Sequence, residues 1–291
     1  MVSGAAIVLA LSVQALTSQA STTSSTRDVA DDSAHSSALE DAQRAFYNGD
    51  YARAAMLSQV LCAAQPDNFD GCELRTASLL FEIKRAVGET GARDKTTAWN
   101  RCSPCPGLMS AFMADTARGQ AFARARLSTN PDHEDTLFFL GKLDLNYVWL
   151  QSGTLGRKTG WDEYWEARRA LDRVLRRNPE HVRARVARAW IDYIVGTTVP
   201  RGARWLLGGG NKKRGLRVVA EVVAAGRGSF FDRTEAMFAL WDMQVRERDV
   251  PGAVATARLL AREFPENREL RRFLTTHDPE TAMIDPRRRT P

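Results

Sequence analysis

Apolar residues recur along most of this chain at intervals of three to four, the spacing that gathers them onto one stripe of an α-helix. Leu137, Leu140, Leu143 with Asp144, and Val148 trace such a stripe. The pattern predicts helices in pairs: 36–48 with 51–64, 69–86 with 107–128, 133–151 with 161–177, 181–195 with 212–225, and 231–248 with 251–263. A short helix at 267–275 closes the series. The pattern breaks three times. Residues 86–106 carry Gly88, Gly91, Pro104 and Pro106, residues 152–160 carry three glycines, and residues 196–210 carry Pro200 and five glycines. Each break falls after the first helix of a pair and before the second. The expected fold class is all-α.

A second regularity lies over the first. Pro66, Pro131, Pro179 and Pro265 each end a helical stretch. Twelve residues before them stand Ala54, Gly119, Ala167 and Ala253, and eight before stand Ser58, Ala123, Leu171 and Ala257. A small residue lets two helices approach closely, and a proline stops a helix before the next begins. This resembles the second helix of a tetratricopeptide repeat (TPR). Leu140-Gly141 matches the pair expected in the first helix, whereas the other first helices match loosely. The resemblance covers about 38–275. It implies a right-handed α-α superhelix of about five helical pairs, a concave face lined by first helices, and protein interaction as the usual role. In such a stack the three long breaks should crowd one rim, either as a binding surface or as tolerated loops.

The ends of the chain differ from its middle. Residues 1–20 hold no charged side chain and an apolar run from Ala5 to Leu16, with small-residue exits at Ala15 and Ala20. That fits an export signal, and the Ser/Thr/Asp-rich stretch 21–37 reads as a disordered linker. Residues 276–291 read as a basic tail. An exported protein, periplasmic or secreted, is the expectation; no apolar run later in the chain reaches membrane-spanning length.

Cys62, Cys72, Cys102 and Cys105 all lie in the N-terminal half. Cys62 and Cys72 flank a helical turn symmetrically, so a disulfide between them is geometrically reasonable. Cys102-Ser103-Pro104-Cys105 has the spacing of a thiol redox motif, though without the strand–helix context that chemistry uses. Two structural disulfides are the expected arrangement, with a zinc site and redox activity as the alternatives.

The net charge of +6 is unevenly spread. Residues 151–220 hold 16 Lys/Arg against 6 Asp/Glu. This basic stretch suits an anionic partner or is simply a solvated helical surface. No nucleic-acid motif is present. The run Gly208-Gly209-Gly210-Asn211-Lys212-Lys213 lacks the phosphate-loop spacing and reads as a turn with Asn211 as helix cap. His133-Glu134-Asp135 reads as a helix start rather than a metal site. No catalytic constellation and no cofactor are indicated.

Counting from the prolines places Asp135, Phe138, Lys142 and Asn146 of the third pair on the concave side, with Arg183, Trp190 and Tyr193 of the fourth. Cations mixed with aromatic faces would suit an acidic protein or peptide partner. The competing account makes Trp190 and Tyr193 core residues. The expected function is an exported scaffold for protein–protein interaction in the cell envelope. A periplasmic small-ligand-binding component of a transport system is the alternative, and a thiol–disulfide redox protein the third.

Overall fold

The computed structural model describes residues 36–64, 69–88 and 95–278. The expected export signal, most of the linker, Pro66 and most of the basic tail lie outside the described residues. The chain divides into two units, Met1–Ala38 and Leu39–Pro291; the second carries the fold.

Among the described residues the secondary structure is entirely helical. The first helix, α1, spans 36–47. It is followed by α2 (Tyr51–Ala64), α3 (Phe69–Val87), α4 (Lys95–Arg101), α5 (Cys105–Thr129), α6 (Glu134–Val148), α7 (Trp161–Arg177), α8 (Val182–Thr198), α9 (Lys212–Ala225), α10 (Phe230–Glu247), α11 (Val250–Glu263) and α12 (Arg268–His277). The expected pairs are all present. The three breaks are not plain loops: they hold α4, a π-helical turn at Trp149–Thr154 and a 3₁₀ segment at Arg201–Leu207. Glycine and proline at those places shorten the helical runs without abolishing them.

Consecutive helices pack side by side along the chain, and first helices also touch first helices, α3 on α6 and α8 on α10. The small residues before the prolines are what let this happen. Ala54, Ser58, Ala123, Ala167, Ala253 and Ala257 are all fully covered, and Gly119 lies in the buried face of α5; Leu171 at the corresponding place is a buried large side chain. Closest of all is the approach of α9 to α8. A Cβ on Gly215 would lie 2.6 Å from the Ala189 carbonyl, and one on Gly196 would lie 2.3 Å from the Lys212 nitrogen. Side chains cannot occupy either place.

Caps set the register of the pairs. His133 Nδ1 accepts from the Thr136 amide and His181 Nδ1 from the Ala184 amide, so both follow an Asn-Pro helix stop and start the next helix. Asn211 caps α9 through the Arg214 amide. Disulfides join Cys62 to Cys72, with Cα atoms 4.8 Å apart, and Cys102 to Cys105 at 5.4 Å. The first staples α2 to α3. The second is buried where α5 begins, beside Leu150 and partly covered Trp99.

The last pair meets the first. Tyr47 of α1 stacks on Phe238 at 5.2 Å and on Phe231 at 6.1 Å. Its carbonyl accepts from Asn267 Nδ2 at 2.7 Å, and Asn48 Oδ1 accepts from the Glu266 amide at 3.2 Å. The Arg44 guanidinium lies over Phe230, 5.4 Å from the ring centre. The inner face of the stack is therefore closed by contacts between its two ends.

Candidate interaction surface

The first helix of every pair sends a polar or aromatic side chain to one shared centre. Lys142 Nζ of α6 lies 2.6 Å from Glu235 Oε1 of α10 and 3.6 Å from Glu73 Oε1 of α3. Arg183 of α8 donates through Nε to Glu235 Oε2 at 2.7 Å and through Nη2 to Glu73 Oε2 at 2.8 Å. Its other terminal nitrogen is 3.6 Å from Asp70, and its guanidinium lies 4.9 Å above the Phe138 ring. Burial alone would push both cations down, but Glu235 and Glu73 outweigh it and hold both above their ordinary values. Burial likewise works against ionised Glu235, and Lys142 with Arg183 overcomes it and holds that carboxyl low. Burial pushes the neighbouring Tyr47 hydroxyl well up.

This geometry changes the meaning of the seven groove residues inferred from repeat offsets. Lys142 and Arg183 do meet, as the counting placed them, yet each is already matched by internal carboxylates. Phe138 is buried under Arg183 and against His181. Asn146 is spent on Thr76 Oγ1 at 3.0 Å. Asp135 is exposed at the start of α6. Tyr193 belongs to the core, 1% exposed. Trp190 is half-buried, edge-on to Trp149 and Tyr193. The stack closes on itself, so the side chains that would line an open groove neutralise one another instead.

The insertions lie along a continuous edge. Lys95 Nζ of the first donates to the Gly153 carbonyl of the second at 2.6 Å. The start of α7, which follows the second, holds the third: Tyr164 Oη donates to the Leu207 carbonyl at 2.8 Å, and Arg168 donates to the carbonyls of Leu207 and Gly208. Arg204 fixes the third insertion from within, donating to Val199 and Gly196 carbonyls at 2.9 and 2.6 Å.

The third insertion shapes a cleft of about 810 Å³. Arg201, Arg204, Lys212, Lys213 and Arg246 line it with a single carboxylate, Glu247, and Tyr193 at one wall. Glu247 is held by Lys212 at 2.7 Å and by the Tyr193 hydroxyl at 2.8 Å. Hydrogen bonding to Lys212 keeps its carboxyl below the ordinary value. Arg246 is paired with Asp242. Arg201 and Lys213 are exposed and have no ion pair among the described residues. The lining therefore carries a local excess of positive charge, of which Lys212, Arg204 and Arg246 are already engaged. The excess of Lys/Arg over 151–220 signalled this in the sequence. Arg246 and Glu247 carry no such signal, since they arrive from α10.

Among the described residues no group of three or more His, Cys, Asp or Glu side chains is placed to hold a metal ion, and no helix is long and apolar enough to cross a membrane. Comparison with protein-family models, with curated proteins and with solved structures finds no match.

Proposed function

We propose that this chain is an exported scaffold, a right-handed TPR-like superhelix of helical pairs, that binds an acidic polypeptide segment in the cell envelope. The segment docks in the cleft between α8, the third insertion, α9 and α10. One observation carries this reading: Arg201 and Lys213 line the cleft with no ion pair among the described residues, whereas the cations at the centre of the stack are matched internally. Electrostatic steering toward such a cleft raises association rates and selects acidic partners. The two disulfides support export, because such bridges persist in oxidising compartments. A leader at residues 1–20 removed near Ala15 or Ala20 belongs to the same proposal.

The test is crosslinking and pull-down of the mature protein from its native envelope, compared with the Arg201→Glu, Lys213→Glu double variant. Capture of a polypeptide by the native chain and its loss from the variant, at unchanged melting temperature, is the expected result. Undiminished capture by the variant sinks the cleft assignment, and recovery of Met1-containing protein from the cytosol sinks export. A second reading, a small anionic ligand in the same cleft, is favoured by its volume, which lies in the usual range for such sites. A co-purified small molecule without a polypeptide decides for that reading.

A further inference from the structure

The Arg201–Leu207 segment is two-sided. Arg201 and Arg204 face the cleft, while Ala203, Leu206 and Leu207 face Trp161 and Trp165 across an apolar groove of about 400 Å³. The apolar flank is open: Leu206 and Trp161, which line the groove, are 56% and 55% exposed, and Trp205, next to Leu206 in the segment, is 73% exposed. Three of the seven tryptophans in the chain, Trp161, Trp165 and Trp205, belong to this edge. Leaving that much indole and leucine surface in water is unfavourable, and a contiguous exposed apolar patch marks a contact site.

Two features decide what covers it. The first is charge. Residues 152–160 and 196–210, the two insertions that frame the patch, contain four Lys/Arg and no Asp or Glu; Arg201 and Arg204 face the cleft, and Arg157 and Lys158 precede Trp161 as exposed residues. Asp162 and Glu163 in the first turn of α7 are the acidic residues adjoining it in sequence. The second is exposure. Trp205 and Leu206 stand out from a short segment braced from beneath by Arg168 and Arg204. Protein hot spots are mostly well-packed pockets. A protruding Trp-Leu pair on an edge whose insertions carry cations and no carboxylate is instead the pattern of a shallow membrane contact, with the indole at headgroup level and Lys/Arg on the phosphates.

The geometry points to a lipid-docking surface: Trp161, Trp205 and Leu206 enter the headgroup boundary of an anionic bilayer, and Arg157 and Lys158 meet its phosphates. The contact is peripheral. It uses the flank of the segment opposite the cleft and does not depend on what the cleft binds.

The mature chain is mixed with vesicles of phosphatidylcholine alone, and with vesicles of phosphatidylcholine and phosphatidylglycerol in about equal parts. Sedimentation and tryptophan emission are read at low and high salt. The expected result is sedimentation with the anionic vesicles only, weakened by salt, with emission shifted to the blue. Trp205→Ser with Leu206→Ser lowers partitioning about tenfold at unchanged circular dichroism. Arg157→Glu with Lys158→Glu lowers it as well. Met56→Ser with Val60→Ser, which removes exposed apolar residues of α2, leaves it unaltered. No sedimentation with either vesicle, equal sedimentation with both, or full partitioning of the Trp205/Leu206 variant overturns the proposal. So does a Trp205/Leu206 variant that keeps vesicle binding but loses polypeptide capture, because the patch would then be a protein site. Failure of the cleft reading shows instead in the Arg201/Lys213 variant and leaves vesicle binding as it was.

Discussion

Arg183 and Glu73 are 110 residues apart in sequence, yet Arg183 Nη2 donates to Glu73 Oε2 at 2.8 Å. Both side chains are largely covered, 17% and 6% exposed. Together with Lys142 and Glu235 they form a two-plus-two ion cluster that ties α3, α6, α8 and α10 at the centre of the stack. Such a cluster is costly to desolvate and contributes only while every member is matched.

Removing one member should therefore be costly. Glu235→Ala leaves Lys142 and Arg183 with too few carboxylates and should destabilise the fold by about 3–5 kcal/mol, read from urea unfolding. Lys142→Glu and Arg183→Glu should be at least as damaging, so neither reports on partner binding. The pH dependence follows from the lowered Glu235 carboxyl. Its stabilising effect is complete above its unfolded pKa of about 4.3 and is lost as the pH falls through its lower folded value. A melting temperature that does not drop on acidification below about pH 4 would count against the cluster.

Asp144 should behave in the opposite way. It is fully buried; Gln120 Nε2 donates to its Oδ1 at 2.7 Å, and its Oδ2 meets no donor. Burial, then the Glu166 carboxylate, pushes its pKa up to about 8. A raised carboxyl favours the fold while protonated, so this contribution is complete at acid pH and fades as the pH rises from about 4 to about 8. Asp144→Asn removes the titrating group at constant shape. It should raise stability at pH values above about 8 by roughly 1–2 kcal/mol and change little in acid. Equal loss of stability at both pH values would refute the protonated state.

The closure of the stack can be probed through Asn267. Its Oδ1 caps α12 at the Glu269 and Leu270 amides, and its Nδ2 donates to the Tyr47 carbonyl. Asn267→Asp keeps the cap and gives up the donor. Hydrogen exchange should accelerate in both 36–47 and α12, although these lie at opposite ends of the sequence. Acceleration confined to α12 would mean the two ends do not hold each other.

The Cys62–Cys72 bridge closes a short loop of sequence separation 10. Replacing both cysteines with serine should cost about 2–3 kcal/mol. Four titratable thiols in the folded, oxidised protein would contradict both pairings.

Gly215→Ala tests the tight α8–α9 contact, where the added methyl meets the Ala189 carbonyl and Tyr193. It should destabilise by roughly 1–3 kcal/mol, the ordinary cost of overpacking. An unchanged melting temperature would show that the two helices separate freely.

Local signals made much of this molecule legible. Apolar period, small residues at fixed distances before prolines, and cap residues such as Asn211 determine helices through contacts within a few turns, so the five pairs could be read directly. The cysteine spacing determined which partners were within reach. Tertiary structure decided everything that depends on where the two ends of the stack meet. Offsets put Lys142 and Arg183 on one side and the two do meet, but Glu73 and Glu235, which bind Arg183, come from helices about 110 and 50 residues away. No local pattern announces that these charges cancel. Closure through Tyr47, Phe238 and Asn267 joins residues about 220 apart, and it turns the expected groove into an interior. With the centre matched and covered, Arg201, Trp205 and Leu206 stand exposed on the third insertion, where the backbone leaves the helical stack and carries side chains away from an internal partner.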